Sequence, residues 1–263
     1  MTAVPMAPSP WKLGDFHVIG RGQNAGDGLC EDCGIGAGAR VLDVACGSGN
    51  TAFSAARRGA HVTGLDLVEK LVERARIRAE AEGFDIDFVT GTAEELPFPD
   101  GTFDYVLSTF GVMFAPNQER AAGELLRVCK PGGTIGLSNW TLESFPGTLF
   151  GIGRKYGPPP SPGARPPVEW GTVPGLQRLF NGKVKEMRLF DRSFRMNFAN
   201  FDAWFDTFRN FFGPMKMLFD NLPQEQTQGV RDELREAVMR YNRATDGSLG
   251  VAMAYVNVVI RKG

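Results

Sequence analysis

The sequence predicts an α/β fold built on a parallel, doubly wound sheet. Three observations lead there. The run Val41-Leu42-Asp43-Val44-Ala45-Cys46 passes straight into the turn Gly47-Ser48-Gly49 and then into a helical stretch, Thr51 to Arg58. That is the strand–turn–helix unit of ligand-binding open sheets. Strand-like runs then alternate with helical stripes up to residue 138, the pattern of parallel strands joined by crossovers. Finally, 263 residues suffice for one large domain, and no internal repeat divides them.

The elements follow in order. Val41 to Cys46 is the first strand. Asn50 is placed to cap the next helix, and Gly59 suits the left-handed position that ends it. His61 to Asp66 is the second strand. Val68, Leu71, Val72 and Ala75 recur at helical spacing until Gly83. Ile86 to Val89 and Asp104 to Ser108 are the third and fourth strands. Ala121, Ala122, Leu125, Leu126 and Cys129 form a stripe stopped by Lys130-Pro131-Gly132-Gly133, and Thr134 to Ser138 is the fifth strand. Residues 143–172 are dense in Pro and Gly, including Pro158-Pro159-Pro160, and read as a long functional loop. Val184 to Phe190 and Ser193 to Phe198 alternate like edge strands. Helical stretches cover about 200–212 and 224–243, and Val251 to Ile260 is a last strand.

Composition excludes several classes. Lys and Arg total 29 against 30 Asp and Glu, a formal charge of -1, so no basic excess points to nucleic acid or a membrane surface. Met1 to Pro10 lacks the features of a signal peptide, no apolar run approaches a membrane span, and four cysteines suit reduced cytoplasmic thiols. Cys30-Glu31-Asp32-Cys33 is a lone C-x-x-C without a second pair and reads as two helix thiols; no metal site is expected.

The glycine turn fits two adenosine-containing ligands. Gly47-Ser48-Gly49-Asn50-Thr51-Ala52 satisfies the dinucleotide pattern G-x-G-x-x-A. Asp43, Ala45, Gly47 and Gly49 satisfy the acidic-x-[Gly/Ala]-x-Gly-x-Gly pattern of proteins that bind S-adenosylmethionine (SAM). Asp43 discriminates. A carboxylate beside a pyrophosphate is repelled, whereas the sulfonium and ammonium of SAM are attracted. Asp66 ends the second strand roughly 20 residues on, where a carboxylate can accept both ribose hydroxyls.

With Gly64-Leu65-Asp66, Ala93-Glu94-Glu95-Leu96-Pro97-Phe98-Pro99-Asp100, Phe103-Asp104 and Lys130-Pro131-Gly132-Gly133, the chain resembles the class I SAM-dependent methyltransferases. Within them it is most similar to the branch that includes ubiquinone/menaquinone-biosynthesis-type small-molecule methyltransferases. The resemblance spans about residues 38–140. It implies a Rossmann-like, doubly wound seven-stranded sheet, last strand antiparallel, with a late helical cap insertion. It implies one domain over 1–263: a SAM-binding core at about 38–140, a cap and acceptor region at about 141–245, and a final strand at about 250–261. By position, Asp43 and the backbone of Ala45, Cys46, Gly47, Ser48 and Gly49 face the methionine part of SAM. Asp66 holds the ribose and Leu67 packs on the adenine. Thr92 and Ala93 meet the adenine edge, and Ser108 and Thr109 lie near the methionine carboxylate and methyl. Thr92 departs from the family's common Asp and offers a weaker, uncharged acceptor.

The implied reaction is direct methyl transfer from SAM to a small-molecule acceptor, producing S-adenosylhomocysteine. The alternatives are an NAD(P)-dependent reductase and a SAM-binding module without turnover. Ser108-Thr109-Phe110-Gly111 lacks the Asn/Asp-Pro-Pro-aromatic motif of amino-methylating nucleic-acid enzymes. Phe201, Trp204, Phe205, Phe208 and Phe212 form a stripe at helical spacing, either core or the lining of an acceptor pocket. Trp11, Lys12, Asp15, Phe16 and His17 precede the first strand, and in the family this segment often folds over the site. His17 is the candidate catalytic base; His61, at the start of a strand, is structural.

Overall fold

The computed structural model describes residues 10–159 and 163–263. The reading of Met1 to Pro10 therefore falls, apart from Pro10, outside the described residues, as does Pro160. Seven strands form one sheet in the order β3-β2-β1-β4-β5-β7-β6. β1 (Arg40–Val44), β2 (His61–Asp66), β3 (Ile86–Thr90), β4 (Phe103–Thr109) and β5 (Cys129–Trp140) are parallel. β7 (Leu249–Lys262) lies antiparallel between β5 and β6 (Val184–Phe198). The expected sheet is therefore found, last strand included.

Helices cover both faces. On one, α3 (Ala25–Cys33), α4 (Asn50–Ala56) and α5 (Glu69–Glu82) bury Leu29, Phe53, Val72 and Ala75 against the sheet. On the other, α6 (Gln118–Val128), α8 (Val173–Phe180) and the late helices close the larger core around Leu125, Phe180, Trp204 and Val238. Two short helices, α1 (Pro10–Leu13) and α2 (Phe16–Gly20), make an N-terminal arm.

Four local expectations are corrected. Gly49, with φ 89°, is the N-cap of α4, so Asn50 is inside the helix. The Pro/Gly-rich stretch is largely ordered: α7 spans Phe145–Tyr156, a 3-10 turn spans Pro167–Gly171, and α8 follows. Ser144 caps α7 by accepting from the Gly147 N–H, and Pro146 sits in the first turn, where its missing N–H costs nothing. The two edge strands are one 15-residue strand, paired throughout with β7. The aromatic stripe lies on the expected helix, α9 (Phe201–Phe211), with Phe212 just past its end, but an unexpected helix, α10 (Gly213–Asn221), precedes α11 (Gln224–Tyr241). Phe201, Trp204 and Phe208 are buried in the main core, with Trp204 stacked on Phe208 at 4.8 Å. That part of the stripe is packing.

Strand order reverses between β1 and β4. In open sheets the ligand crevice lies at the carboxyl ends of the strands at this reversal. Val44, Asp66 and Thr109 end the three strands that converge there.

Candidate active site

The loop after β1 is shaped by backbone demands. Gly47 (φ 56°) and Gly49 (φ 89°) adopt left-handed conformations that cost glycine little. Ala45 adopts φ 56° as well, at a steric cost its neighbours must hold. The Gly49 N–H closes a turn onto the Cys46 carbonyl at 2.9 Å, and the Cys46 N–H bonds the Leu65 carbonyl of β2 at 3.0 Å. Asp66 completes the tie: Oδ2 accepts from Gly47 N–H and Oδ1 from Val68 N–H, both at 2.8 Å. Burial raises the Asp66 pKa, and these two N–H groups pull it back.

Asp43 is 1% exposed. Its Oδ2 accepts the Ala52 N–H at 2.9 Å, so the carboxylate braces the first turn of α4. Burial pushes its pKa up to about 8, against the Ala52 hydrogen bond and with help from the negative charge of Asp66. The contact that Asp43 makes within the chain is structural, to the first turn of α4. Cys46 is buried with a raised pKa, again from burial first.

The N-terminal arm lies on this loop. His17 Nδ1 is 3.0 Å from Ser48 Oγ. Asn50 donates from Nδ2 to the Gly20 carbonyl at 3.0 Å and accepts from Arg78 at 2.9 Å. Arg74 donates to the Asp15 carboxylate. Burial raises the Asp15 pKa, but Arg74 and Lys70 more than offset this, so Asp15 stays ionised below the usual range. The His17 pKa is lowered, first by burial and then by the positive charge of Arg74, with Asp15 opposing. Trp11 packs on Phe114 at 4.5 Å and on Phe16 at 5.2 Å, which joins the arm to the turn after β4.

At the end of β4, Ser108 is buried and doubly committed: it donates to the Val44 carbonyl at 2.7 Å and accepts from Val112 N–H at 3.0 Å. Ser108 thereby braces β1 against the turn after β4. Thr109 accepts from Thr51 Oγ1 at 2.7 Å. Phe110 has φ 56° and stacks on Trp140 at 3.6 Å.

A family model described as "Methyltransferase domain" matches residues 42–137. An uncharacterized protein of Mycobacterium tuberculosis is 41% identical over 244 residues, 88% of this chain and 89% of its own. A demethylmenaquinone methyltransferase of Thermus thermophilus is 43% identical over 98 residues, 36% of this chain and 44% of its own. The crystal structure of the YcgJ protein from Bacillus subtilis superposes with a TM-score of 0.60 at 20% identity, covering 92% of this chain and all of that one. The chain belongs to the class I SAM-dependent methyltransferases.

The residues of this methyltransferase suit SAM on grounds independent of the family. Asp43 and Asp66 have no cationic partner among the described residues, and burial pushes both towards the protonated form, so a bound sulfonium or ammonium would favour their ionisation. Leu67 is 46% exposed just beyond β2 and offers an apolar face for an adenine. Thr92 sits in a tight turn, accepting from Glu94 N–H through Oγ1 at 3.3 Å, and Ala93 packs against the core beside it. The structure thus brings Cys46–Gly49, Asp66, Thr109 and His17 to one end of the sheet, through the contacts above, while Asp43 and Ser108 support from beneath. Sequence reasoning missed Asn50, Arg74 and Arg78 as the ties of the arm; their partners lie tens of positions away, so no local pattern marks them. Cys30 and Cys33 are buried thiols with pKa values raised by burial, to about 12 for Cys30. No metal-binding cluster occurs among the described residues, and no described helix is long and apolar enough to cross a membrane.

Proposed function

We propose that this methyltransferase acts on a small apolar acceptor held between the N-terminal arm and the end of β6. The observation that carries this reading is a cavity of about 250 Å³ lined by Val18, Ile19, Met196 and Phe198, with Arg21, Asn197 and Thr207 as polar members. Helix α2 places His17 on the glycine loop and Val18 and Ile19 on the cavity, so one helical turn stands between cofactor loop and acceptor. Residues of the proposed cap region, about 141–245, supply the opposite wall. The Thermus relative, named for a demethylmenaquinone, is compatible with such an acceptor. A formal charge of -1 argues against nucleic acid.

SAM supplies an electrophilic methyl group for direct displacement when bound. The chain's own residues then orient the reactants and exclude water. The glycine loop and Asp66 fix one reactant and the cavity fixes the other, while Trp11 packs on Phe16 and Phe114 where the arm meets the turn after β4. Asp15 is tied to Arg74 and His17 Nδ1 to Ser48, and on this reading catalysis rests on proximity with an acceptor that loses its proton readily. Screening thiol, amine, phenol and acidic-carbon acceptors for S-adenosylhomocysteine production tests this. Filling the cavity with Ile19→Trp should raise the acceptor KM while sparing SAM affinity. A protein that binds SAM but turns over no acceptor would instead be a binding module.

A further inference from the structure

The glycine loop is charged asymmetrically. Below it lie Asp43 and Asp66, with no cation paired to either among the described residues. Above it lies His17, bonded to Ser48 in the loop, with Arg74, Arg21 and Arg78 close enough to depress its pKa. The amino-acid tail of SAM is a zwitterion. Asp43 and Asp66 offer acceptors and no donors, which leaves the carboxylate of that tail in need of N–H donors elsewhere, and these would bind it with charge-assisted hydrogen bonds.

The donors on that side are few. Arg74 is committed to Asp15, Arg78 to Asn50 and Glu82, and Arg21 lines the cavity at the end of β6. His17 Nδ1 meets the Ser48 hydroxyl, and no described residue pairs with Nε2. With the Ser48 O–H donating to Nδ1, a neutral imidazole carries its proton on Nε2. We infer that His17 is a cofactor-binding residue that donates from Nε2 to the carboxylate of the SAM tail, in the tautomer whose Nδ1 accepts from the Ser48 hydroxyl. This rests on the methyltransferase assignment and replaces the expected role of His17 as general base. It also explains why the arm lies on the loop: the arm delivers the one imidazole of the site to the cofactor.

The test is calorimetric titration of wild type, His17→Ala and His17→Gln with SAM and with decarboxylated SAM, which keeps sulfonium and ammonium but lacks the carboxylate. A hydrogen bond to a charged group predicts that His17→Ala weakens SAM about tenfold to a hundredfold. It should leave decarboxylated SAM nearly unchanged, and His17→Gln, which keeps an N–H donor, should recover part of the loss. The imidazole pKa, followed by NMR, should rise on binding SAM but not on binding the decarboxylated analogue. Equal weakening of both ligands would show that His17 only anchors the arm, and unchanged SAM affinity would show no role; either overturns the inference. Wild-type protein that binds neither ligand overturns the cofactor assignment beneath it as well.

Discussion

Gly111→Ala should loosen the floor of the site, and the size of the effect follows from one close approach. Gly111 has φ -107° and ψ -61°, which alanine adopts freely, so only space is at stake. A Cβ there would overlap Ala45 Cβ and stand 2.9 Å from the Ala45 carbonyl oxygen and 3.4 Å from Ser108 Oγ. Ala45 is itself held at φ 56° and cannot turn aside. Overpacking costs about 1–3 kcal/mol, and backbone neighbours that cannot rotate away put this case in the upper half of that range. Ala45→Gly removes both the overlapping Cβ and a left-handed penalty of about 1–2 kcal/mol. It also frees the unfolded chain, which costs about 0.4–1 kcal/mol, so alone it is neutral to stabilising by about 1.5 kcal/mol. In the double variant most of the Gly111→Ala cost should vanish, leaving a coupling of at least about 1 kcal/mol. Urea unfolding of the four proteins measures it, and the single Gly111→Ala variant should lose roughly 4–12 °C in Tm. A Gly111→Ala variant within about 0.5 kcal/mol of wild type, or additive effects in the double variant, would refute the claim that β1 and β4 are packed to contact at the site.

Asp66→Ala should weaken SAM by one to two orders of magnitude, and because it also strands the Gly47 and Val68 N–H groups, apo stability should fall by about 1–3 kcal/mol; calorimetry and unfolding check the two effects separately. Asp43 titrates near 8 when folded against 3.8 in the reference state. A raised carboxyl pKa means that the folded protein holds the proton more tightly, so this contribution to stability is fully present below about pH 4 and is lost as pH rises towards about 8. Asp66 acts in the same direction. Asp43→Asn keeps an acceptor for the Ala52 N–H, so it should flatten the decline and be more stable than wild type at pH 8; an unchanged slope in unfolding experiments would count against it. Trp204→Ala should cost about 3–5 kcal/mol as a buried aromatic deletion, whereas Trp204→Phe should leave the acceptor KM within about twofold. A large KM change in Trp204→Phe would return the stripe to the pocket.

The sheet was legible because its signals are local and redundant. Strand, glycine turn and helix are contiguous at 41–58, and each crossover helix carries its own stripe. Helix α7 was hidden by composition: Pro146, Gly147, Gly151 and Gly153 read as loop. Yet the proline is in the first turn, and a side chain at Gly147 would collide with the Leu142 carbonyl, so glycine serves packing there. Asp191-Arg192 looks like an interruption between two strands. The 14-residue partner β7 carries the pairing across it, and Arg192 closes on Asp32 instead. Within the site, residue types were readable but directions were not. Asp43 reaches only nine positions to Ala52, whereas Ser108 reaches 64 to Val44 and His17 reaches 31 to Ser48. Such partners are set by tertiary packing, which residue spacing does not encode.

This glycine loop, with Asp43 beneath it and Asp66 at the end of β2, is expected to take SAM and not a dinucleotide. Calorimetric titration of the wild-type protein with SAM, S-adenosylhomocysteine, NADH and NADPH tests it most directly. The account predicts saturable binding of the first two and no comparable binding of either nicotinamide cofactor. Tight binding of NADH or NADPH with no heat from SAM would contradict it.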